Sequence, residues 1–364
     1  MEKNSKIYVA GHTGLVGSAI FKNLESKGYT NLIGRNVSEL DLTNQLATRA
    51  FFAEEKPDYV ILAAAYVGGI VANNTYRADF ISKNLAIQQN VIDESFRSGV
   101  KKLLFLGSTC IYPCDAPQPM GEDCLLTSPL EYTNEPYAIA KIAGLKMCES
   151  YNIQYGTNFI AVMPTNLYGP NDNFDLEKSH VMPAMIRKVY LAKALNEGNW
   201  AEVRKDLAKR PVEGVNGESS EDAITAILAK YGIFDDCVEL WGSGKPTREF
   251  LWSEEMADAC VFVMENVEFC DLKSYAVERG CPDNQIRNCH INIGTGKEIT
   301  IRGLAEHILK VVDYRGELRF DASKPDGTMR KLTDPSKIHS LGWHHQIEVE
   351  EGVAKLFAWY KENL

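Results

Sequence analysis

Four residues between positions 108 and 141 have side chains that can act on a carbonyl group. Ser108 and Cys110 follow the apolar run KKLLFL in the segment GSTCIYP, and Tyr137 and Lys141 lie in YAIAK. A spacing of four places Tyr137 and Lys141 on one face of a helix. A tyrosine hydroxyl can protonate a developing alkoxide, and an ammonium group one turn away is expected to lower the tyrosine pKa. With Ser108 as a second hydroxyl, the pattern predicts a site that polarises and reduces a carbonyl group.

Cys110 needs a separate explanation, because carbonyl reduction does not require a thiol. A free cysteine at the end of a buried strand is commonly a small hydrophobic residue, and this interpretation stays open at the level of sequence. A thiol with a pKa of about 8.5 and an imidazole with a pKa of about 6.5 can also exchange protons near neutral pH. His180, in EKSHVMP before an apolar helix, is the candidate imidazole, with a structural helix cap as the alternative.

The elements that must position these residues alternate between strands and helices over residues 1–165. Short apolar runs predict buried parallel strands, and the amphipathic stretches between them predict helices. The strands are expected at 6–10, 59–64, 102–108 and 159–164, and the helices at 17–28, 78–99 and 136–156. This alternation predicts an α/β fold, a Rossmann-type doubly wound parallel sheet, with some later segments returning to it. Residues 166–364 are expected to form a smaller mixed α/β C-terminal lobe, including a surface insertion at about 196–236 with no visible chemistry.

A glycine-rich loop follows the first predicted strand. Gly11, Gly14 and Gly17 form a G-x-x-G-x-x-G pattern in VAGHTGLVGSAI, which lets the backbone approach a pyrophosphate at a helix N-terminus. Arg35 stands near the end of the second strand, where an NAD site has an acidic residue for the ribose 2′-hydroxyl. A guanidinium there suits a 2′-phosphate, so NADP(H) is the predicted cofactor. The alternative for Arg35 is a solvated surface arginine.

Composition excludes several classes of function. The 364 residues include 39 basic and 49 acidic side chains, a net charge of −10, so nucleic acid and anionic membranes are poor candidate partners. The nine cysteines contain no C-x-x-C pair and the seven histidines do not cluster near them, so no metal site is predicted. The chain enters a predicted strand without a signal-peptide pattern, and its longest apolar stretch is too short to cross a bilayer. We therefore expect a cytoplasmic protein with reduced thiols.

Longer motifs carry a resemblance to a known family. They are LAAAYVGGIVANNTY, LLFLGSTCIYP, TNEPYAIAKIAGLKMCESYN, VMPTNLYGPNDNF, SHVMPAM, WGSGKPTREFL and FDASKPDGTMRKL. With the glycine loop, they identify the chain as a member of the extended short-chain dehydrogenase/reductase family, similar to its GDP-L-fucose synthases over nearly the whole chain apart from about 196–236. The resemblance implies conversion of GDP-4-keto-6-deoxy-D-mannose to GDP-L-fucose, by epimerisation at C3 and C5 and NADPH-dependent reduction at C4. It also implies a homodimer packed through the helices at 78–99 and 136–156.

The resemblance assigns roles to individual residues. Cys110 matches the general base of epimerisation and His180 the general acid, while Ser108, Tyr137 and Lys141 form the reducing centre. The implied substrate-binding residues are Ser108, Asn166, Lys188, Trp241, Arg248 and Lys324. The implied cofactor-binding residues are Gly11, Thr13, Gly14, Leu15, Val16, Gly17, Arg35, Asp41, Leu42, Ala63, Ala64, Ala65, Tyr137, Lys141, Pro164, Asn166, Leu167 and His180.

Three positions depart from the family pattern, and two other functions remain open. Thr13 and Val37 stand where relatives can carry basic residues, which leaves Arg35 as the main candidate for a 2′-phosphate, and Tyr66 stands where lysine is frequent. One alternative is a reductase without epimerisation that acts on a related GDP-4-keto sugar. The other is a non-catalytic NADP-binding sensor, which the presence of both Tyr137 and Lys141 disfavours.

Overall fold

The computed structural model describes residues 1–324 and 326–364. The chain divides into two compact units. Unit 1 comprises Met1–Leu167, Leu251–Gly296 and Leu332–Gln346. Unit 2 comprises Tyr168–Phe250, Lys297–Lys331 and Ile347–Leu364. Two segments that follow residue 165 therefore belong to the first unit.

The secondary structure contains both strands and helices throughout the described residues. Up to residue 168 it consists of β1 (Ile7–Ala10), α1 (Leu15–Ser26), β2 (Leu32–Ile33), α2 (Gln45–Glu55), β3 (Tyr59–Leu62), α3 (Ile70–Thr75), α4 (Arg77–Arg97), β4 (Lys102–Leu106), α5 (Glu135–Tyr155), β5 (Phe159–Pro164) and β6 (Asn166–Tyr168), with 3₁₀ turns at Thr109–Ile111 and Glu122–Cys124. The remainder consists of α6 (Val181–Asn196), α7 (Trp200–Lys209), α8 (Glu221–Lys230), β7 (Cys237–Trp241), β8 (Thr247–Arg248), β9 (Phe250–Trp252), α9 (Ser253–Asn266), α10 (Phe269–Glu278), β10 (Ile291–Ile293), β11 (Ile299–Thr300), α11 (Ile301–Val312), β12 (Glu317–Asp321), β13 (Arg330–Lys331), α12 (Ser336–Ser340) and α13 (Val349–Glu362). Within the described residues, no helix combines the length and the apolar character needed to cross a membrane.

Unit 1 is built on a six-stranded sheet with the order β10-β5-β4-β3-β1-β2. All neighbouring strands in it are parallel. The chain passes from β1 to β2 on one side and then to β3 on the other, which creates a switch point between β1 and β3. Ligands of doubly wound sheets bind outside the carboxyl ends of the strands at such a point. The predicted Rossmann-type sheet is confirmed.

Alternating side chains of each strand face opposite sides of this sheet. In β1, Ile7 and Val9 join a core that includes residues of α1 and α9. Tyr8 and Ala10 join a second core that includes residues of α2, α4 and α5. The strands are apolar at consecutive positions because helices cover both faces, as expected for a parallel sheet.

Unit 2 contains smaller sheets. Strands β7 and β12 pair in parallel, from Cys237 beside Glu317 to Trp241 beside Asp321. Strand β8 lies between antiparallel β11 and parallel β13. The segment 196–236, expected to be a surface insertion, forms α7 and α8, and one face of each is fully buried through Val203, Asp206, Leu207, Ile224 and Leu228. It is therefore an integral part of unit 2.

Candidate active site

The glycine loop between β1 and α1 is shaped by two of its three glycines. Gly11 has a φ of +82°, and a Cβ on it would lie 2.8 Å from the backbone of Ala64. A Cβ on Gly17 would lie 2.0 Å from the carbonyl oxygen of Gly11. A Cβ on Gly14 would meet nothing nearer than 3.5 Å, so the chain's own packing does not require glycine there. The open space over Gly14 suits the approach of a ligand to the backbone.

The N-terminus of α1 suits an anion. Its N-cap is Gly14, which provides no side-chain hydrogen bond, and the first turn contains no acidic residue. The first backbone N–H groups of a helix lack partners within the helix, and the helix dipole favours negative charge beside them. Thr13 is exposed, and Leu15 and Val16 are half-buried. These residues fit the pyrophosphate of NADP(H).

The loops after β2 and β3 border the same edge of the sheet. Ala63, Ala64 and Ala65 are half-buried after β3, and the N–H of Ala63 donates to the carbonyl oxygen of Ala10 at 3.0 Å. The exposed Asp41 accepts hydrogen bonds from the backbone and the hydroxyl of Thr43, at 2.9 and 2.7 Å. Leu42 is buried. Together with Gly11 against Ala64, these contacts join the loops that follow β1 and β3 at the switch point.

Arg35 follows β2 and forms an ion pair with the carboxylate of Glu55. Its Nη2 lies 2.6 Å from Oε1 of Glu55, and its Nη1 donates to the carbonyl oxygen of Gly34 at 2.9 Å. Lys6 approaches the other carboxylate oxygen of Glu55 at 3.3 Å. The Arg35 side chain is 37% exposed, so it is accessible to a phosphate while it pairs with Glu55.

The predicted reducing centre is assembled from β4 and α5. Ser108 caps the 3₁₀ turn Thr109–Ile111, and its Oγ accepts a hydrogen bond from the backbone N–H of Cys110 at 3.3 Å. The buried Lys141 donates from Nζ to the carbonyl oxygen of Leu106 at 2.8 Å. Lys141 Nζ lies 5.7 Å from the ring centroid of Tyr137. The structure therefore brings Tyr137 and Lys141 together at the carboxyl end of β4, where the turn with Ser108 and Cys110 begins.

Desolvation dominates the electrostatics of this centre. Burial lowers the pKa of Lys141 to about 8, and a negative charge on Cys110 would oppose that shift. Burial raises the pKa of Tyr137 above its ordinary range, and a negative charge on Cys110 would raise it further. The expectation of a lowered tyrosine pKa is therefore wrong for the protein alone, because loss of hydration raises that pKa. These two effects indicate that the Cys110 sulfur is within electrostatic reach of Tyr137 and Lys141.

Three predicted residues lie at the end of β5. Pro164 is the last residue of that strand and is buried. Thr165 donates its N–H to Ile293 of β10 at 3.0 Å, which fixes the backbone just before Asn166. Asn166 and Leu167 are half-buried, and Leu167 packs against the core shared with α1 and α9.

Two of the predicted residues in unit 2 belong to α6 or to its N-terminal cap. His180 is the N-cap of this helix and makes no side-chain capping hydrogen bond, so the alternative role as a cap is not supported. His180 as a whole is exposed to solvent. The protein atoms around its imidazole still remove part of the hydration of the ring, and this loss lowers the pKa of the imidazole. Lys188 lies two turns further along. Burial lowers the pKa of Lys188 to about 8, and the charge of Glu239 on β7 opposes the shift.

The three remaining candidates in unit 2 lie close together. Lys324 places its Nζ 5.6 Å from the ring centroid of Trp241, whose side chain is 67% exposed. Asp326 accepts hydrogen bonds from the backbone and hydroxyl of Ser243, at 2.8 and 2.7 Å, which ties the loop after β7 to the loop after β12. Arg248 on β8 points an Nη2 toward that second loop, 3.1 Å from the position of a Cβ on Gly327. An exposed aromatic face with nearby cations suits a nucleotide.

The sequence did not predict how Tyr66 is held. Asn84 of α4 is buried, and its amide receives the backbone N–H of Tyr66 and donates to its carbonyl oxygen, both at 2.9 Å. Phe80 packs edge-on to Tyr66 at 4.9 Å and reaches Tyr137 at 6.3 Å. A polar residue among the apolar positions of α4 was the available signal for Asn84. Its partner is 18 residues away, so the spacing alone did not identify it.

Comparisons with known proteins show the family of the chain. Residues 7–275 match the family described as the NAD dependent epimerase/dehydratase family. A putative GDP-L-fucose synthase 2 of Arabidopsis thaliana is 49% identical over 100% of this chain and 94% of its own length. The GDP-L-fucose synthase of Escherichia coli (strain K12) is 48% identical over 98% of this chain and 97% of its own length. A solved GDP-mannoheptose C4 reductase from Campylobacter jejuni with NADP bound is 45% identical, with a TM-score of 0.86 and 99% coverage of both chains.

Proposed function

The chain belongs to the NAD dependent epimerase/dehydratase family, and on that premise we propose that it is an NADP-dependent epimerase-reductase that converts GDP-4-keto-6-deoxy-D-mannose to GDP-L-fucose. The structural observation that carries this proposal is the turn after β4. It holds Ser108 and Cys110 close to the helix that carries Tyr137 and Lys141, and a negative charge on Cys110 would raise the pKa of both. This arrangement supports a carbonyl-reducing pair and a second proton-exchanging group at one strand end.

Epimerisation requires two proton-transfer groups that act on opposite faces of the carbon being inverted. The C3 and C5 protons of the substrate are acidified by the C4 ketone, so a base can remove each one and an acid can return a proton to the opposite face. We assign the base to Cys110 and the acid to His180. Ser108 and Tyr137 stabilise the enolate oxygen formed in each inversion.

Reduction uses the same oxygen. NADPH supplies the hydride that C4 receives. Tyr137 donates its phenolic proton to the oxygen, and Lys141, held by the carbonyl of Leu106, supplies positive charge next to the phenol. No group in the described part of the chain forms a hydrogen bond with the Tyr137 hydroxyl, which leaves that hydroxyl available to the substrate.

The test is turnover in heavy water. The protein is incubated with GDP-4-keto-6-deoxy-D-mannose and NADPH in D₂O, and the product is analysed by NMR. We expect deuterium at C3 and C5 and the L-fuco configuration. Cys110→Ser and His180→Asn should suppress deuterium uptake while sparing some direct reduction, and Cys114→Ser, at an exposed thiol four residues away, is the matched control. Deuterium uptake unchanged in Cys110→Ser would contradict the assignment of the base.

A second candidate is a 4-ketoreductase that acts on a GDP-4-keto-heptose without epimerisation. The observation that favours it is the 45% identity to the GDP-mannoheptose C4 reductase. Parallel incubations with the two keto sugars separate the candidates. NADPH consumption with no deuterium at C3 or C5 would favour the reductase.

The assembly and location of the protein are part of the proposal. A homodimer through α4 and α5 is supported by Ile139, Ile153 and Tyr155, apolar side chains of α5 that are 40%, 59% and 52% exposed. Sedimentation of the wild type and of Ile153→Lys tests it, and a monomeric wild type would contradict it. A cytoplasmic location is supported by the nine cysteines, none of which forms a disulfide within the described residues.

A further inference from the structure

His12 is the one residue of the loop from Gly11 to Gly14 that has no role in the site described above. Its half-buried ring packs on Gly34, the residue that follows β2. A Cβ on Gly34 would lie 2.3 to 2.6 Å from three ring atoms of His12. Phe21 of α1 flanks the imidazole, with ring centroids 5.8 Å apart. The loop after β1 therefore contacts the end of β2 through this ring, next to Arg35.

The imidazole explains why residue 34 is glycine. Gly34 is not among the residues with positive φ, so its backbone conformation is open to any residue. Any side chain at this position would occupy the space of the His12 ring. Because Gly34 has no side chain, the imidazole of His12 has room to lie at the end of β2.

The two ring nitrogens of His12 lie in different environments. Nδ1 is buried and has no hydrogen-bond partner among the described residues. Nε2 is not buried in this way without a partner. Burying an N–H group without an acceptor is costly. We therefore place the proton of the neutral imidazole on Nε2, which gives His12 an N–H donor on the side away from Gly34.

Arg35 is not sufficient by itself for a phosphate. Its guanidinium pairs with Glu55, so a phosphate bound to Arg35 also meets the carboxylate charge. Lys6 offsets part of that charge from the opposite side of Glu55. A second donor at the same place would strengthen phosphate binding, and neither Thr13 nor the exposed Val37 brings a cation.

From this geometry we propose that His12 is a specificity residue for the 2′-phosphate of NADP(H). The Nε2–H of His12 donates a hydrogen bond to this phosphate, beside Arg35. A hydrogen bond to a charged acceptor is stronger than one to a neutral hydroxyl, so His12 favours NADP(H) over NAD(H). This inference rests on the proposed function only for the identity of the cofactor.

The test measures dinucleotide binding by titration calorimetry, without sugar substrate. His12→Phe keeps an aromatic ring over Gly34 and removes the donor, so we expect the Kd for NADP⁺ to weaken about tenfold or more, while the Kd for NAD⁺ stays within about twofold. Gly34→Ala displaces the imidazole and should lower the same NADP⁺ preference. His344→Phe, at an exposed histidine elsewhere in unit 1, is the control and should bind as the wild type does.

Other outcomes overturn the proposal. An unchanged ratio of the two affinities in both variants, or equal weakening for NADP⁺ and NAD⁺, would show that the ring only packs on the loop. Failure of the proposed reaction is separate from these outcomes, because binding does not depend on the sugar. If the wild type binds NADP⁺ but does not turn over the keto sugar, the proposed function fails and the affinity ratio still decides the role of His12.

Discussion

Lys141 in unit 1 and Arg187 in unit 2 are both buried cations, with exposures of 3% and 1%, but their partners differ. Arg187 donates from Nε and Nη2 to Asp206, at 2.9 and 2.8 Å, and from Nη1 to the carbonyl oxygen of Phe174 at 3.1 Å. Its Nη2 also bonds the carbonyl oxygen of Arg210, and the Tyr360 hydroxyl bonds the second oxygen of Asp206. Lys141 donates to one neutral carbonyl.

This difference distinguishes a structural charge from the charge to which we assign a role in the reaction. The Arg187 cluster joins α6, α7 and α13, and every charge in it faces an opposite charge or several hydrogen bonds. Lys141 has no carboxylate partner within the described residues, and burial lowers its pKa to about 8, which places its proton within reach of neutral pH. Burial of a charge is thus not by itself a sign of function, whereas burial without a charged partner is.

The largest expected effect tests the reactive side of the comparison. Tyr137→Phe should lower the rate of hydride transfer by about 10²- to 10⁴-fold, because the proton donor to the C4 oxygen is lost. The free energy of unfolding should change by no more than about 0.5 kcal/mol, since no described group depends on that hydroxyl. Stopped-flow NADPH absorbance and urea unfolding measure the two quantities, and a rate within tenfold of the wild type would contradict the assignment.

Arg187→Met tests the structural side. It leaves Asp206 buried without its counter-charge, so we expect the free energy of unfolding to fall by about 3–5 kcal/mol. The double variant Arg187→Met/Asp206→Leu removes both charges and should recover most of that loss. Urea unfolding of the three proteins measures this, and a loss below about 1 kcal/mol in the single variant would count against the contrast with Lys141.

Lys141→Met should have the opposite effect on stability. A pKa near 8 in place of 10.5 corresponds to a cost of about 3 kcal/mol for the buried ammonium at neutral pH. Losing the hydrogen bond to Leu106 offsets about 1–2 kcal/mol of the gain. We expect a net increase of about 1–2 kcal/mol in the free energy of unfolding at pH 7, together with loss of reduction. A large decrease in stability would show that Lys141 is structural.

The pH dependence of stability gives the smallest effect. The folded pKa of Lys141 lies below the unfolded one, so between about pH 8 and 10.5 the unfolded chain holds the additional proton and stability rises with pH, by up to about 1.4 kcal/mol per unit. Below pH 8 the full cost remains. The stability advantage of Lys141→Met should therefore shrink from pH 7.5 to pH 9.5. An advantage that is equal at both pH values would contradict the lowered pKa.

Features that depend on short stretches of chain were predictable from the sequence. The spacing of Tyr137 and Lys141 on α5 and the glycine loop before α1 require only local geometry, and both are present in the structure. The parallel sheet was predictable because apolar strands alternate with amphipathic helices. The Arg187–Asp206 pair was not, because Asp206 lies in a polar segment that reads as solvent-exposed.

The sequence by itself determined which groups are available for chemistry, namely a thiol and a hydroxyl at the end of β4, a Tyr–Lys pair on one helical face and a glycine-rich loop before a helix. Tertiary structure decided the state of those groups. It bonded Lys141 to Leu106, 35 residues away, raised the tyrosine pKa that the spacing alone predicted to fall, and set the His12 ring on Gly34. The physical reason is that hydration and charge pairing depend on every atom nearby, and in a folded chain most of those atoms come from distant residues.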